Sequence, residues 1–358
     1  VQLSRGSVAA LALVAGLCGL TSAAGADGEL MFRTVYYKEK ATRVEQPMLD
    51  GRFDAGEHGS VDAHLLIDAI SSASTASSAD AEPFDETRVE VGTGYTHTLG
   101  TYQLGGSARY STEPDYKSVY GTIRGQAELF ERNLTLGVTL GRGHDDINAL
   151  TMPVGELESY LASASVAQIL SPDTIASLTY DLTYLSGYQE NPYRRVVQAA
   201  SPIPTQVGEN VPDQRTRHAL AATVRRFYEP TSTTLVASYR YYFDDWGVRA
   251  QTPEVRVIQD AGDTMQVSLR YRYHHQRAAE FYQDSYPMDA VLLTDDQKLS
   301  TFDAHTITMK FAVTGATFGF ADRLGSVIGE LLVEYNIVHN DFGNAGVAHA
   351  ALTIPFEY

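Results

Sequence analysis

Residues 266–274 read QVSLRYRYH: Val267, Leu269, Tyr271 and Tyr273 alternate with Gln266, Ser268, Arg270, Arg272 and His274. A period of two places successive side chains on opposite faces of a strand. One face of this strand is apolar with aromatic ends, and the other is charged. The same alternation recurs along the chain. Leu235, Ala237, Tyr239, Tyr241 and Phe243 interleave with Ser238, Arg240 and Tyr242. Ala176, Leu178, Tyr180, Leu182 and Tyr184 interleave with Ser177, Thr179, Asp181 and Thr183. Val61 to Ile67, Leu134 to Leu140 and Leu331 to Ile337 repeat it.

A soluble β-sandwich also alternates. Two features favour a membrane barrel instead. The polar rows carry many charges and glycines, and the apolar rows end in Tyr or Phe, as an interfacial girdle does. The strands also reach the ten or so residues that a tilted crossing needs. The pattern predicts an all-β chain folded as a transmembrane antiparallel up-and-down β-barrel. It has about sixteen strands, an even number, with fourteen as the fallback because Pro47 weakens the second. The short connections, such as Leu99-Gly100 and Ser171–Asp173, alternate with a set that includes long polar ones: 71–86, 144–155, 187–214 and 276–299. Short periplasmic turns opposite longer outer loops fit a barrel. The connection 315–326 is the exception on the short side, and residues 321–329 there could form a short helix.

The first 26 residues read as a secretory signal peptide: Arg5, then the apolar run Val8–Leu20, then Ala24-Gly25-Ala26 before a cut at Asp27. The expected domains are therefore 1–26, signal peptide, and 27–358, barrel. Cys18, the one cysteine, falls in the signal, so the mature chain offers neither disulfide nor thiolate metal site. The net charge of −17, with basic residues scattered, argues against nucleic acid. Leu352, Ile354, Phe356 and Tyr358 alternate to an aromatic end, and Phe356 and Tyr358 are read as the signal for the outer-membrane barrel assembly machinery. The expected location is the bacterial outer membrane, with lipid and lipopolysaccharide as neighbours.

Several stretches together resemble the DUF3570 family: VYYKE (35–39), DAISSAS (68–74), NPYRRV (191–196), SYRYYFDDWGVRAQTPEV (238–255), RYRYHHQRAAEFYQD (270–284) and KLSTFDAHT (298–306). The resemblance implies an outer-membrane β-barrel with no assigned activity or catalytic motif. It also implies a genomic setting beside a small lipoprotein and a flavin transferase, hence a lipoprotein or redox partner.

The expected lumen-lining charges are Arg109, Arg124, Asp181, Arg240, Arg270, Arg272, Glu330 and Glu334, with Glu90, Arg225 and Lys310 on the same faces. Two uses stand side by side: a salt-bridge network that closes the interior, or a selective pore. Arg240, Arg270 and Arg272 form the best anion-facing patch. An acidic outer rim is expected from His144, Asp145, Asp146, Asp244, Asp245 and His274, beside Trp246 and His275. It reads as a solvated surface, as a hydrolase site, or as a divalent-cation bridge to lipopolysaccharide. Arg194-Arg195 could contact phosphate or sit in a loop folded into the mouth. There is no GxSxG elbow, phosphate-binding fingerprint or plug domain; no cofactor and no metal site are expected. The expected function is a passive pore or a scaffold for an envelope partner, with a rim hydrolase as the alternative.

Overall fold

The computed structural model describes residues 27–40, 42–73, 83–149, 152–199, 205–340 and 343–356. The proposed signal peptide, its cysteine and Tyr358 lie outside them.

The strands are β1 (Gly28–Lys38), β2 (Thr42–Ala55), β3 (Gly59–Ala73), β4 (Pro83–Leu99), β5 (Tyr102–Thr112), β6 (Tyr116–Leu129), β7 (Leu134–Ala149), β8 (Met152–Ser171) and β9 (Thr174–Gly187). They continue as β10 (Arg195–Gln198), β11 (Thr205–Gly208), β12 (Gln214–Tyr228), β13 (Thr233–Asp244), β14 (Arg249–Asp260), β15 (Met265–Arg277), β16 (Phe302–Thr314), β17 (Ile328–Val338) and β18 (Ala345–Phe356). All but β10 and β11 form one closed barrel in chain order, sealed by β1 against β18. That is sixteen antiparallel strands, and the fourteen-strand fallback falls away. Closure leaves no strand edge unpaired, as hydrocarbon requires.

Alternation follows the sequence pattern. Leu269, Val333, Val255 and Leu136 stand on the outside, 40–54 % exposed. On the same outer rows lie Tyr95, Tyr180, Tyr239, Tyr271 and Tyr335. This greasy exterior with aromatic rows is the surface of a membrane-spanning barrel. Among the described residues no helix is long and apolar enough to cross a membrane.

Pro47 does not remove β2. It pairs in register with Thr34 on β1, and only the β2–β3 ladder skips Gln46 and Pro47, because proline has no N–H to donate. Pro253 interrupts the β14–β15 ladder in the same way. Pro355 lies beyond the last β17 partner, Thr353, so its missing donor leaves no gap.

The termini of the barrel share one end with the short turns, where Gly100 takes φ +63 in the two-residue link from β4 to β5. In outer-membrane barrels with this asymmetry the short-turn end is the periplasmic one. The exception expected there, between β16 and β17, holds the four-residue helix α1 (Asp322–Gly325).

Two of the long outer connections carry structure among their described residues. Residues 188–213 contain the β10–β11 hairpin, which the alternation did not reveal. They pack against 278–301 through bridges Gln198–Tyr286 and Asn210–Leu293. Two apolar centres hold this cap. One is Val211, Trp246, Val248, Ala279 and Leu299; the other is Val196, Tyr286 and Leu293. The first also contacts Tyr242, a lumen-facing side chain, so the cap rests over the mouth on the inner side of the wall.

Candidate functional site: the lumen wall and its mouth

Ladder register fixes which charges look inward. Arg33, Asp50, His64, Glu90 and Arg109 occupy the non-lipid face of β1 to β5 and join into one chain. Arg33 Nη2 lies 2.8 Å from Asp50, Asp50 2.5 Å from His64 Nδ1, His64 Nε2 3.5 Å from Glu90, and Glu90 3.1 Å from Arg109. Arg124 donates to the Thr96 hydroxyl. Of these, His64, Arg109, Thr96 and Arg124 line, with Arg52 and Asp62, a recess of about 580 Å³.

A second group centres on Glu254 of β14. Arg272 Nε reaches it at 2.9 Å, Arg256 at 3.1 Å and Arg270 at 3.7 Å. Arg270 also pairs with Glu334 at 2.5 Å and donates to Thr308, which in turn donates to Glu334. Lys310 meets Glu330 at 2.5 Å, and Asp181 accepts from Ser163 at 2.6 Å. Arg240 shares a recess of about 500 Å³ with Glu254, Arg272 and His274. Its guanidinium lies over Tyr242, 5.6 Å from the ring centre. Arg225 also faces inward, between Ile175 and Val236.

All eight lumen candidates therefore point away from lipid. Arg33, Asp50, His64, Arg256 and Glu254 join them and were not anticipated. Glu254 and Arg256 alternate with Val255 and Val257, so the same period marks them; Pro253 beside them masks the strand.

Direction is the informative feature of these pairs. Every lumen ion pair among the described residues lies within one strand or joins neighbouring strands or next neighbours, running along the wall. None crosses the lumen. A network that closes the interior would need contacts between opposite walls.

The rim residues do not form one constellation. His144 and Asp146 lie on the lipid-side face of β7, with His144 Nδ1 2.7 Å from Glu158 and Nε2 3.5 Å from Asp146. Asp145 points the other way. His274 and His275 diverge as expected: His274 faces the lumen and pairs with the Thr252 hydroxyl at 2.9 Å, whereas His275 lies outside against Asp303. Asp245 accepts the Thr216 N–H at 2.9 Å. Asp244 is fully buried and saturated. It receives Arg215 at 2.5 and 2.9 Å, the Tyr242 hydroxyl at 2.7 Å, and the N–H groups of Trp246 and Val248 at 3.1 and 2.9 Å. Arg215 in turn stacks 4.2 Å over Trp246. Asp244 thus fastens the β13–β14 turn and has no lone pair left for water chemistry.

Arg194 is likewise committed. It lies 3.0 Å from both oxygens of buried Glu209 and 3.4 Å from Asp296, joining the two long loops rather than awaiting a phosphate. Thr294 and the Asn191 N–H complete the Glu209 shell. In the same cap, burial, with Asp295 and Asp284 nearby, pushes the Tyr282 phenol up to about 12, so it stays neutral at ordinary pH. A grouping absent from the sequence reading also emerges: Glu86, Glu113 and Asp115 bring carboxylate oxygens within 4.8 Å of one another at the outer end of β4 and the β5–β6 turn. Hard divalent cations take such oxygens.

Comparison with known proteins agrees with this architecture. Residues 154–318 match the family model described as protein of unknown function (DUF3570), the family whose motifs the chain resembles. No curated protein matches the sequence. Among solved structures, a bacterial polysaccharide outer membrane secretin superposes with a TM-score of 0.57 at 8 % identity, covering 92 % of this chain and 98 % of that one. OccD3 (OpdP) of Pseudomonas aeruginosa gives 0.50 at 9 % identity, covering 93 % and 92 %. A BenF-like porin from Pseudomonas fluorescens Pf-5 gives 0.50 at 7 % identity, covering 94 % and 99 %. At such identities what is shared is the porin-like barrel fold.

Proposed function

We propose that this chain is a passive diffusion pore of the bacterial outer membrane, with its outer mouth narrowed by a folded cap. One observation carries the reading: the lumen ion pairs among the described residues run along the wall and none crosses it, which leaves the barrel axis to water. Sixteen strands give a lumen of the size that porins use. The cap, seated on Tyr242 and Arg215, supplies a constriction without a separate plug domain. Read as a secretion signal and an assembly signal, the stretch 1–26 and the aromatics Phe356 and Tyr358 fit export and insertion by the barrel assembly machinery. Lipopolysaccharide is the expected neighbour of the outer aromatic rows.

The test is conductance of refolded protein in planar bilayers. Steady open-channel current is expected, and removal of cap residues 191–211 should raise it. A properly folded barrel that passes no current would refute the reading.

A scaffold for an envelope partner, such as a small lipoprotein or a flavinylated redox protein, is the second reading. The observation that favours it is the inner turn beside α1, where Phe318, Phe320 and Leu324 are exposed at 55–67 %. An apolar patch outside the lipid belt is unusual without a covering surface. Co-purification from native membranes, lost on Phe318→Ser with Phe320→Ser, is the expected sign.

A further inference from the structure

We infer that the lumen selects for small anions, and that Arg240 with Arg256 and Arg272 forms the anion-facing wall; this rests on the pore reading above. The bulk charge of the chain, −17, points to the opposite preference. The local arrangement decides otherwise, because a solute in a pore feels the groups lining its narrow path.

Around Glu254 four guanidiniums, from Arg240, Arg256, Arg270 and Arg272, stand against two carboxylates, Glu254 and Glu334, while Lys310 with Glu330 and Arg215 with Asp244 cancel elsewhere on the same wall. The local balance is therefore +2. Glu254 is shared among three of the arginines, and each of them holds more N–H donors than one carboxylate can accept. Arg240 has no carboxylate within ion-pair distance among the described residues; its ring contact with Tyr242 leaves its donor edge available. It opens on the recess shared with Arg272, whose other lining includes Thr252 and Asn336, both able to donate hydrogen bonds. A planar fork of donors beside hydroxyl and amide groups is the chemistry that binds carboxylate or phosphate oxygens.

The opposite wall is built alike. In the barrel order β4 lies eight strands from β14, half of the sixteen-strand circuit. There Arg124 spends itself only on the neutral Thr96 hydroxyl, within a recess whose three arginines, Arg52, Arg109 and Arg124, face one carboxylate, Asp62. An anion passing along the axis meets arginines on both sides. A cation meets Asp50, Glu90, Glu254, Glu330 and Glu334, each already engaged by a basic side chain.

The experiment is the zero-current potential of refolded protein under a tenfold KCl gradient, with heat-modifiable gel migration to show that each variant is folded. The wild-type barrel is expected to pass chloride in preference to potassium. Arg240→Glu should lower the chloride-to-potassium permeability ratio by about fivefold, and Arg240→Gln by about twofold, from the charge change at pore distances. Arg240 holds no carboxylate, so both variants should fold; if the glutamate variant does not, the glutamine variant gives the same reading. Wild-type preference for potassium, or a ratio that neither variant moves, overturns the inference and leaves the pore standing. A folded barrel without current overturns the pore reading and the inference together.

Discussion

The cap should come loose when Arg194 is truncated, while the barrel beneath it holds. Glu209 is the buried half of this contact, its side chain 2 % exposed, and Arg194 is 25 % exposed. Arg194 Nη1 lies 3.0 Å from each carboxylate oxygen. Coulomb attraction at that distance in a partly wet setting is about 5 kcal/mol. Arg194→Ala removes it and strands the carboxylate with the Asn191 N–H and the Thr294 hydroxyl. Breaking one partner of a buried pair costs about 3–5 kcal/mol; the partial exposure of Arg194 places this case near about 3. At about 1.4 kcal/mol per decade the open population of the cap rises about a hundredfold. Chymotrypsin cleavage in detergent reports that population when reclosing outpaces cutting. Phe281 and Tyr282, packed in the cap, are the expected sites. Cleavage should accelerate about a hundredfold, with heat-modifiable migration unchanged. Arg194→Ala combined with Glu209→Gln should lose less than the two single changes added together. A cleavage rate within twofold of wild type would show that the contact does not hold the cap.

Two further outcomes follow from single positions. Gly187 has φ +123, and a Cβ there would strike the Glu156 carbonyl oxygen; Gly187→Ala should therefore cost about 1–3 kcal/mol and lower the melting temperature, whereas Gly346→Ala, with open space around it, should not. Glu113, in the outer turn after β5, has its carboxyl pushed up by burial and then by Asp115 and Glu86. The folded state thus binds this proton more tightly than the unfolded chain, so stability falls as pH rises from the ordinary glutamate range, about 4.3, through the raised folded value. Glu113→Gln should raise the melting temperature at pH 7 and leave it unmoved at pH 3.5; equal shifts at both would contradict the assignment.

The barrel was legible because lipid imposes one rule on every strand. A side chain outside must be apolar, so Leu269, Tyr271 and Tyr273 had to alternate with Arg270, Arg272 and His274 over the whole span. The same rule placed Arg109, Arg124 and Glu334 on the inner face without any knowledge of their partners. Partners were not legible. Glu254 gathers its arginines from β14 itself and from β15, and register between strands is set by the closed ladder, not by local composition. The cap was illegible for another reason. Its strands β10 and β11 have four residues each, too few for a period to declare itself. The signal that was present is compositional: Val196, Val211, Phe281, Tyr286 and Leu293 are apolar in loops that would otherwise be solvated. Asp244 and Arg194 misled for a related reason, since an acid or a guanidinium in a loop looks like chemistry until its neighbours are known.

The seam between β1 and β18 sets a condition on biosynthesis. Gly28 pairs with Phe356, so the ladder that closes the barrel joins its first strand to its last, the two made farthest apart in time. No partial product can close; each growing intermediate is an open sheet with two raw margins that invite stray pairing. A nonsense mutation before β18 would yield no narrower tube, only an unsealed sheet to be cleared. The chain must accordingly travel unfolded and shielded, and acquire its cylinder in a single late event.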